Sequence, residues 1–225
     1  KPVNDVILLS KVQVFLDLHR GKMQMQALLA SLNERNRQLQ DEIARRESAE
    51  AEIRHLAAHD PLTGLANRML FMDRLAQALD RSNRNKKPCA LLYLDIDGFK
   101  PVNDLHTHRA GDQLLRLIGQ RIAERLRKTD TLARIGGDEF AVIMEEQVEV
   151  PDAALKAGQQ LCELIQKPYE LDGGIQVSVG VSIGVAFYPK HGSGTADERE
   201  AFIHVADTAM YEAKKRGKNQ VVLAF

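Results

Sequence analysis

Between Lys22 and Asp60 the chain contains neither glycine nor proline, and apolar residues return every three or four positions. That period, on a background of Leu, Ala, Glu, Gln and Arg, predicts one long helix. A heptad frame places Met25, Leu32, Leu39 and Ile53 at one seam position and Leu29, Ile43 and Ala57 at the other. Asn36, Arg46 and Glu50 interrupt the seam. Polar seam residues lower stability while fixing register and oligomer state. The pattern predicts a parallel, dimeric coiled-coil stalk over residues 21–59. A single amphipathic helix packed on its own domain is the competing reading.

Beyond Asp60 the period is repeatedly broken. Pro61 stops the helix and Gly64 supports a turn. Leu70, Phe71, Leu75 and Leu79 predict a second helix, and Ala90–Asp95 a buried strand. Helix returns over Asp112–Arg127, with Leu114, Ile118, Ile122 and Leu126 along one face. Further helices are predicted over 153–166 and 202–215, a buried strand over 177–187 and a last strand over 221–224. Thr131-Leu132-Ala133 and Ala141–Met144 flank Gly136-Gly137, which predicts a hairpin. Strands alternating with helices, plus one hairpin, predict an α/β or α+β sheet with helices against it.

Composition adds limits. A length of 225 residues suits one globular domain, over 60–225, with an appendage. Lys plus Arg and Asp plus Glu are 31 each, so no overall basic field points to a nucleic-acid polymer. Two cysteines, Cys89 and Cys162, give no disulfide framework. Each stands among apolar neighbours, the pattern of buried reduced thiols in a cytoplasmic protein. No apolar run reaches the length of a membrane span. The chain begins at Lys1 without a signal peptide and is expected to be part of a longer protein.

The candidate chemistry lies in two acidic turns. In Arg134-Ile135-Gly136-Gly137-Asp138-Glu139-Phe140, two adjacent acids sit at a bend whose glycines let a ligand approach the backbone. Such acids either hold a hard cation such as Mg²⁺ or are solvated at an ordinary turn. Asp95-Ile96-Asp97-Gly98-Phe99-Lys100 ends the predicted buried strand, where acids of many α/β sheets face a ligand crevice. If that strand lies beside the hairpin, Asp95 and Asp138 meet. Two acids from different strands make a Mg²⁺ site that takes its remaining ligands from phosphate and water.

The region from about Leu56 to Phe225 resembles the GGDEF-domain diguanylate cyclases. The resemblance rests on Asp60–Arg68, Leu94–Leu115, Arg134–Phe140, Ser182-Ile183-Gly184-Val185-Ala186 and Ala206–Asn219, in the family's order. It implies an α+β fold, an α/β sandwich with a mainly antiparallel central sheet, similar to the polymerase palm and the class III nucleotide cyclases. It also implies condensation of two GTP into cyclic di-GMP with release of two pyrophosphates. Each domain would bind one GTP, and two domains would face each other in a homodimer formed through the N-terminal helix. The implied cofactor is Mg²⁺, two ions per site, with Mn²⁺ as an alternative. Asp95 and Asp138 would ligate it, with the Ile96 carbonyl, and Glu139 would be a further ligand or proton acceptor. Asp97 is left between a solvated and a hairpin-supporting role.

Guanine selection would fall to Asn103 and Asp112, since a carboxylate accepts from N1–H and the exocyclic amine of guanine and adenine offers no such pair. An N-cap role for Asp112 is compatible with this. Phosphate contacts would come from Lys100, the amides of Gly98, Phe99 and Lys100, and from Lys214 and Lys218, with Gly136 and Gly137 giving backbone access. A basic helix C-terminus ended by Gly217 explains the lysines' charge, but not the combined Tyr211-Glu212-Ala213-Lys214…Gly217-Lys218-Asn219 pattern. Two positions depart from the family pattern. Lys218 replaces an arginine and loses bidentate geometry, and Thr107 stands where glycine is usual. Arg127-Lys128-Thr129-Asp130 matches the family's inhibitory Arg-x-x-Asp site for cyclic di-GMP, or is a helix-end salt bridge. A catalytically silent cyclic di-GMP-binding module is the alternative function. Lys1-Pro2-Val3 and the amphipathic stretch to Leu18 resemble the end of a response-regulator receiver domain, giving a possible remnant over 1–20.

Overall fold

The computed structural model describes residues 5–145, 150–188 and 196–224. Lys1-Pro2-Val3 therefore lies outside the described residues. The chain divides into two units, 1–54 and 55–225.

Helix α1 runs without a break from Asp5 to Ala58. Gly21 does not interrupt it: a single helical glycine costs about 1 kcal/mol, less than the flanking strong helix formers supply. Residues 5–20 and the predicted stalk are thus one element. Pairs one turn apart line its surface, Arg46 with Glu42 at 2.7 Å and Gln38 with Glu34 at 3.4 Å. The seam residues Met25, Leu29, Leu32, Leu39 and Ile43 are all exposed.

In the second unit, α2 (Arg68–Asn85) is capped by Asn67, whose side chain accepts from the Leu70 N–H. β1 (Cys89–Asp97) follows, buried along nearly its whole length. Two further helices, α3 (Phe99–His106) and α4 (His108–Ala123), meet at Thr107. α4 begins four residues earlier than its apolar face predicts, because Thr107 and not Asp112 is the N-cap. It also ends before Arg127, where Arg125 N–H and Leu126 N–H tighten onto the carbonyls three residues back. β2 (Thr131–Gly136) and β3 (Glu139–Met144) form the predicted hairpin, and α5 (Val150–Ile165) follows. The predicted strand over 177–187 is two elements. β5 (Ile175–Val177) pairs with β4 (Tyr169–Leu171) in a separate ribbon, while β6 (Gly180–Tyr188) enters the main sheet. α6 (Ala196–Lys215) and β7 (Val221–Leu223) complete the chain.

The main sheet has the order β2-β3-β1-β6-β7. Its pairs are antiparallel except β6 with β7, which α6 joins as a parallel crossover. Alternation along the strands makes two cores. Leu92, Leu94 and Ile96 pack with Phe140 and Val142 against α4 and α5. Leu91 and Tyr93 pack with Ala141 and Ile143 against α2 and α6. Cys89 and Cys162 are buried, and burial first of all pushes both thiols up to about 12, so neither ionises at neutral pH. Among the described residues no helix is long and apolar enough to cross a membrane.

Candidate active site

Both acidic turns come together at one end of the central strands. In the antiparallel β1–β3 ladder Asp95 is the direct partner of Glu139, and the Ile96 N–H donates to the Asp138 carbonyl at 3.2 Å. The bend itself is Gly137-Asp138, one residue later than Gly136-Gly137, because the β2–β3 register shifts between Arg134 and Gly136. Gly137 alone of the two has positive φ, at 50°. Phe140 is fully buried and fixes the returning strand in the core.

Asp95 lies 9% exposed. Burial pushes its carboxyl above the usual range and the neighbouring Asp138 adds to this, while Lys214 opposes both. The Lys214 ammonium, on the last turn of α6, is 2.6 Å from Asp95 Oδ2. Burial alone would pull Lys214 down, but Asp95, Asp138 and Asp97 together hold it above its ordinary value. Glu139 accepts a hydrogen bond from the Tyr93 hydroxyl at 3.2 Å. Asp97 is partly exposed and bonded away from the hairpin: it accepts from Ser182 Oγ on β6 and from the Asn219 N–H.

The residues expected to read guanine lie on α3 and α4. Asn103 packs directly against Gly111, the residue before Asp112. Its Oδ1 is buried and unpaired among the described residues, a costly state that a ligand N–H relieves. Asp112 is exposed on the first turns of α4 and free of capping duty. Gly98 takes φ 82° at the N-cap of α3, and Lys100 is exposed in its first turn. Thr107 is held at φ 137°, a conformation that a β-branched side chain strains to adopt. Lys218 is exposed in the turn after α6. Arg127 and Asp130 form a closed turn away from the helix: Asp130 Oδ2 accepts the Arg127 N–H at 3.0 Å, and the Asp130 N–H returns to the Arg127 carbonyl. Burial raises the Asp130 carboxyl.

One link escaped the sequence reading. Arg134 Nη1 donates to both oxygens of Asp60, at 3.0 and 3.1 Å, while Nε and Nη2 donate to the Gly137 carbonyl at 3.0 and 2.8 Å. The turn at Asp60-Pro61-Leu62-Thr63-Gly64 is thereby tied to the acidic hairpin. The Arg134 N–H also donates to the Ala66 carbonyl. Local pattern gave no signal for a pair 74 residues apart.

Asp95, Asp138 and Glu139 offer hard oxygen donors suited to Mg²⁺. No group of three or more ligating side chains is preassembled for a metal among the described residues.

A mixed sheet thus carries acids at the β1 end, a Gly-Gly-Asp-Glu bend beside them and a lysine from the crossover helix. Residues 57–220 match the family model for the diguanylate cyclase GGDEF domain, and the chain belongs to that family. Diguanylate cyclase TpbB of Pseudomonas aeruginosa strain PAO1 is 40% identical over 202 residues, which cover 88% of this chain and 45% of TpbB. The chain spans less than half the length of the curated relatives it matches. The solved structure of an N-terminally truncated TpbB of the same strain, comprising only its GGDEF domain, superimposes with a TM-score of 0.69 at 41% identity, covering 74% of this chain and 94% of that one. The coiled coil and GGDEF domain of DgcB from Caulobacter crescentus, solved with cyclic di-GMP, gives 0.78 at 28% identity over 86% of this chain and 100% of that one.

Proposed function

We propose that the protein is a cytoplasmic diguanylate cyclase that condenses two GTP into cyclic di-GMP with release of two pyrophosphates. The observation that carries this reading is the meeting of Asp95 with the Asp138-Glu139 turn beside the Lys214 ammonium. Carboxylates gathered from two strands, flanked by a cation, suit a metal-bound triphosphate. Asp95, the Ile96 carbonyl, Asp138 and Glu139 would hold the Mg²⁺ ions, two per site, and Mn²⁺ shares the same oxygen preference. Bound there, the metal neutralises phosphate charge and lowers the pKa of the attacking 3′-hydroxyl.

The chain's own groups do the rest. Glu139, or Asp138 beside it, takes the proton from the 3′-hydroxyl. Lys214 exchanges Asp95 for the terminal phosphates. Lys218, Lys100 and the amides of Gly98, Phe99 and Lys100 orient the triphosphate, and Gly136 and Gly137 leave room for it against the backbone. Asn103 and Asp112 read guanine: the unpaired Asn103 Oδ1 supports this.

One domain supplies one half-site, so a second must face it. The exposed seam of α1 supports a homodimer through that helix. Cyclic di-GMP binding at Arg127 and Asp130 would hold the domains in a nonproductive arrangement, with Arg127 pairing with phosphate or stacking on guanine. The test is purified protein with GTP and Mg²⁺, product read by chromatography. Cyclic di-GMP from GTP and nothing from ATP is expected. Binding of cyclic di-GMP without turnover at high protein concentration would instead make the chain a silent binding module.

A further inference from the structure

Asp97 follows two residues after Asp95 on the same strand, yet its carboxylate is committed elsewhere. Ser182 Oγ donates to its two oxygens at 3.0 and 2.9 Å, and the Asn219 N–H donates to Oδ2 at 2.9 Å. Ser182 is fully buried on β6. Asn219 belongs to the turn between α6 and β7, and that turn has an uncommon backbone. Gly217, Lys218 and Asn219 take positive φ in succession, at 117°, 64° and 45°. A residue with a Cβ adopts that region only where its surroundings over-determine it.

The surroundings here are explicit. Asp97 takes the Asn219 N–H, and Asn219 Oδ1 accepts from the Val181 N–H at 3.4 Å. The Lys218 N–H and Gln220 Nε2 both donate to the Ala213 carbonyl, each at 3.1 Å. A Cβ added at Gly180 would stand 3.1 Å from the Asn219 Cβ, so the turn is pressed against the start of β6. Asp97 is the one charged group in this set, and a charged acceptor makes the strongest of these bonds.

We infer that Asp97 is a positioning residue for Lys218: it clamps the α6–β7 turn through the Asn219 N–H and so sets where the Lys218 ammonium meets the triphosphate. Asp97 acts through the Asn219 N–H, while its charge also bears on the nearby Lys214. The inference rests on the proposed role of Lys218 at the terminal phosphates. A long lysine side chain keeps many rotamers, so a fixed Cα confines the reach of the ammonium and with it the entropy lost on binding.

The experiment measures binding of a non-hydrolysable GTP analogue and of guanosine monophosphate, with Mg²⁺, to the whole chain as wild type, Asp97→Ala, Lys218→Met and the double variant. Asp97→Ala is expected to weaken the triphosphate analogue roughly five- to tenfold, the scale of one charged hydrogen bond, and to leave the monophosphate unchanged. The double variant should lose no more than the larger single loss, since both act on one contact. Asp97→Asn keeps an acceptor for the Asn219 N–H and should restore most of the affinity. It also carries the test if the alanine variant does not fold: amide exchange at Asn219 should then stay close to wild type, and Ser182→Ala should loosen it. Losses that multiply in the double variant, or that fall equally on both nucleotides, would overturn the inference. A wild type that binds the triphosphate no better than the monophosphate would instead sink the phosphate-binding reading itself.

Discussion

Replacing Arg134 with methionine removes four hydrogen bonds while keeping an unbranched apolar stem. Two of those bonds go to Asp60 and two to the Gly137 carbonyl. The side chains are 12% and 18% exposed, so the pair lies between two regimes. Breaking a fully buried pair costs about 3–5 kcal/mol, and an exposed pair is worth at most about 1 kcal/mol. Asp60 would keep the Thr63 N–H and Thr63 Oγ1 as donors, at 2.8 and 2.6 Å, so its carboxylate is not left bare. A loss of about 2 kcal/mol follows, or roughly 4–8 °C in Tm for a domain of this size.

The pH dependence gives the sign. Burial raises the Asp60 carboxyl, but hydrogen bonds from Thr63 and Arg134 more than offset this and leave it below its ordinary value. A depressed carboxyl stabilises the fold above its unfolded pKa and loses that contribution as pH falls through the folded one. The gap between wild type and Arg134→Met should therefore be full at pH 7 and shrink below about pH 4. Thermal unfolding followed by circular dichroism across pH 3–7 measures it. A variant within about 1 °C of wild type at pH 7, or a gap undiminished at pH 3, would refute the reasoning.

Gly184→Ala should be far more damaging, because a Cβ there is driven into the Ala206 carbonyl and the Met210 nitrogen, where α6 lies on β6. A cost above about 3 kcal/mol, or failure to fold, is expected in denaturant titration. Thr107→Gly relieves a backbone held at φ 137°. It should raise unfolding stability by about 0.5–1 kcal/mol after the extra flexibility of the unfolded chain and the lost cap on the Ala110 N–H are subtracted, and a fall in the denaturation midpoint would contradict that. Lys214→Met leaves Asp95 without its cation. It should cost about 1–2 kcal/mol at pH 7, and less at acid pH, where an Asp95 whose pKa is raised binds its proton. Nucleotide binding should fall in the same variant, as read by calorimetry.

The long helix, β1, the hairpin and α6 were legible because each carries a strong period or a run of apolar residues. The elements that were missed are short. α3 has eight residues with Pro101 in its first turn and buries Val102 alone, so no period develops. β4 and β5 have three residues each. The break between β5 and β6 is hidden because Val177, Val179 and Val181 continue the apolar pattern across it. In the site, strand and turn chemistry singled out Asp95 and the hairpin acids, and the β1–β3 pairing supplied the adjacency that the sequence left conditional. The Arg134–Asp60 tie and the Asp97–Asn219 clamp did not, since their partners are 74 and 122 residues apart and only the sheet order joins them. Likewise, the cap at Thr107 overrode the sequence signal at Asp112, because tertiary packing placed the α3–α4 junction one turn earlier.

On the proposed function, the Asp95–Asp138–Glu139 cluster turns over GTP as a cyclase. Its most direct test is the ratio of pyrophosphate to cyclic di-GMP formed from GTP and Mg²⁺ by the wild type and by Asp138→Asn. Two pyrophosphates per cyclic di-GMP in the wild type, with both products lost in the variant, is the predicted result. Equal turnover by the variant, or pyrophosphate released without cyclic di-GMP, would contradict the account.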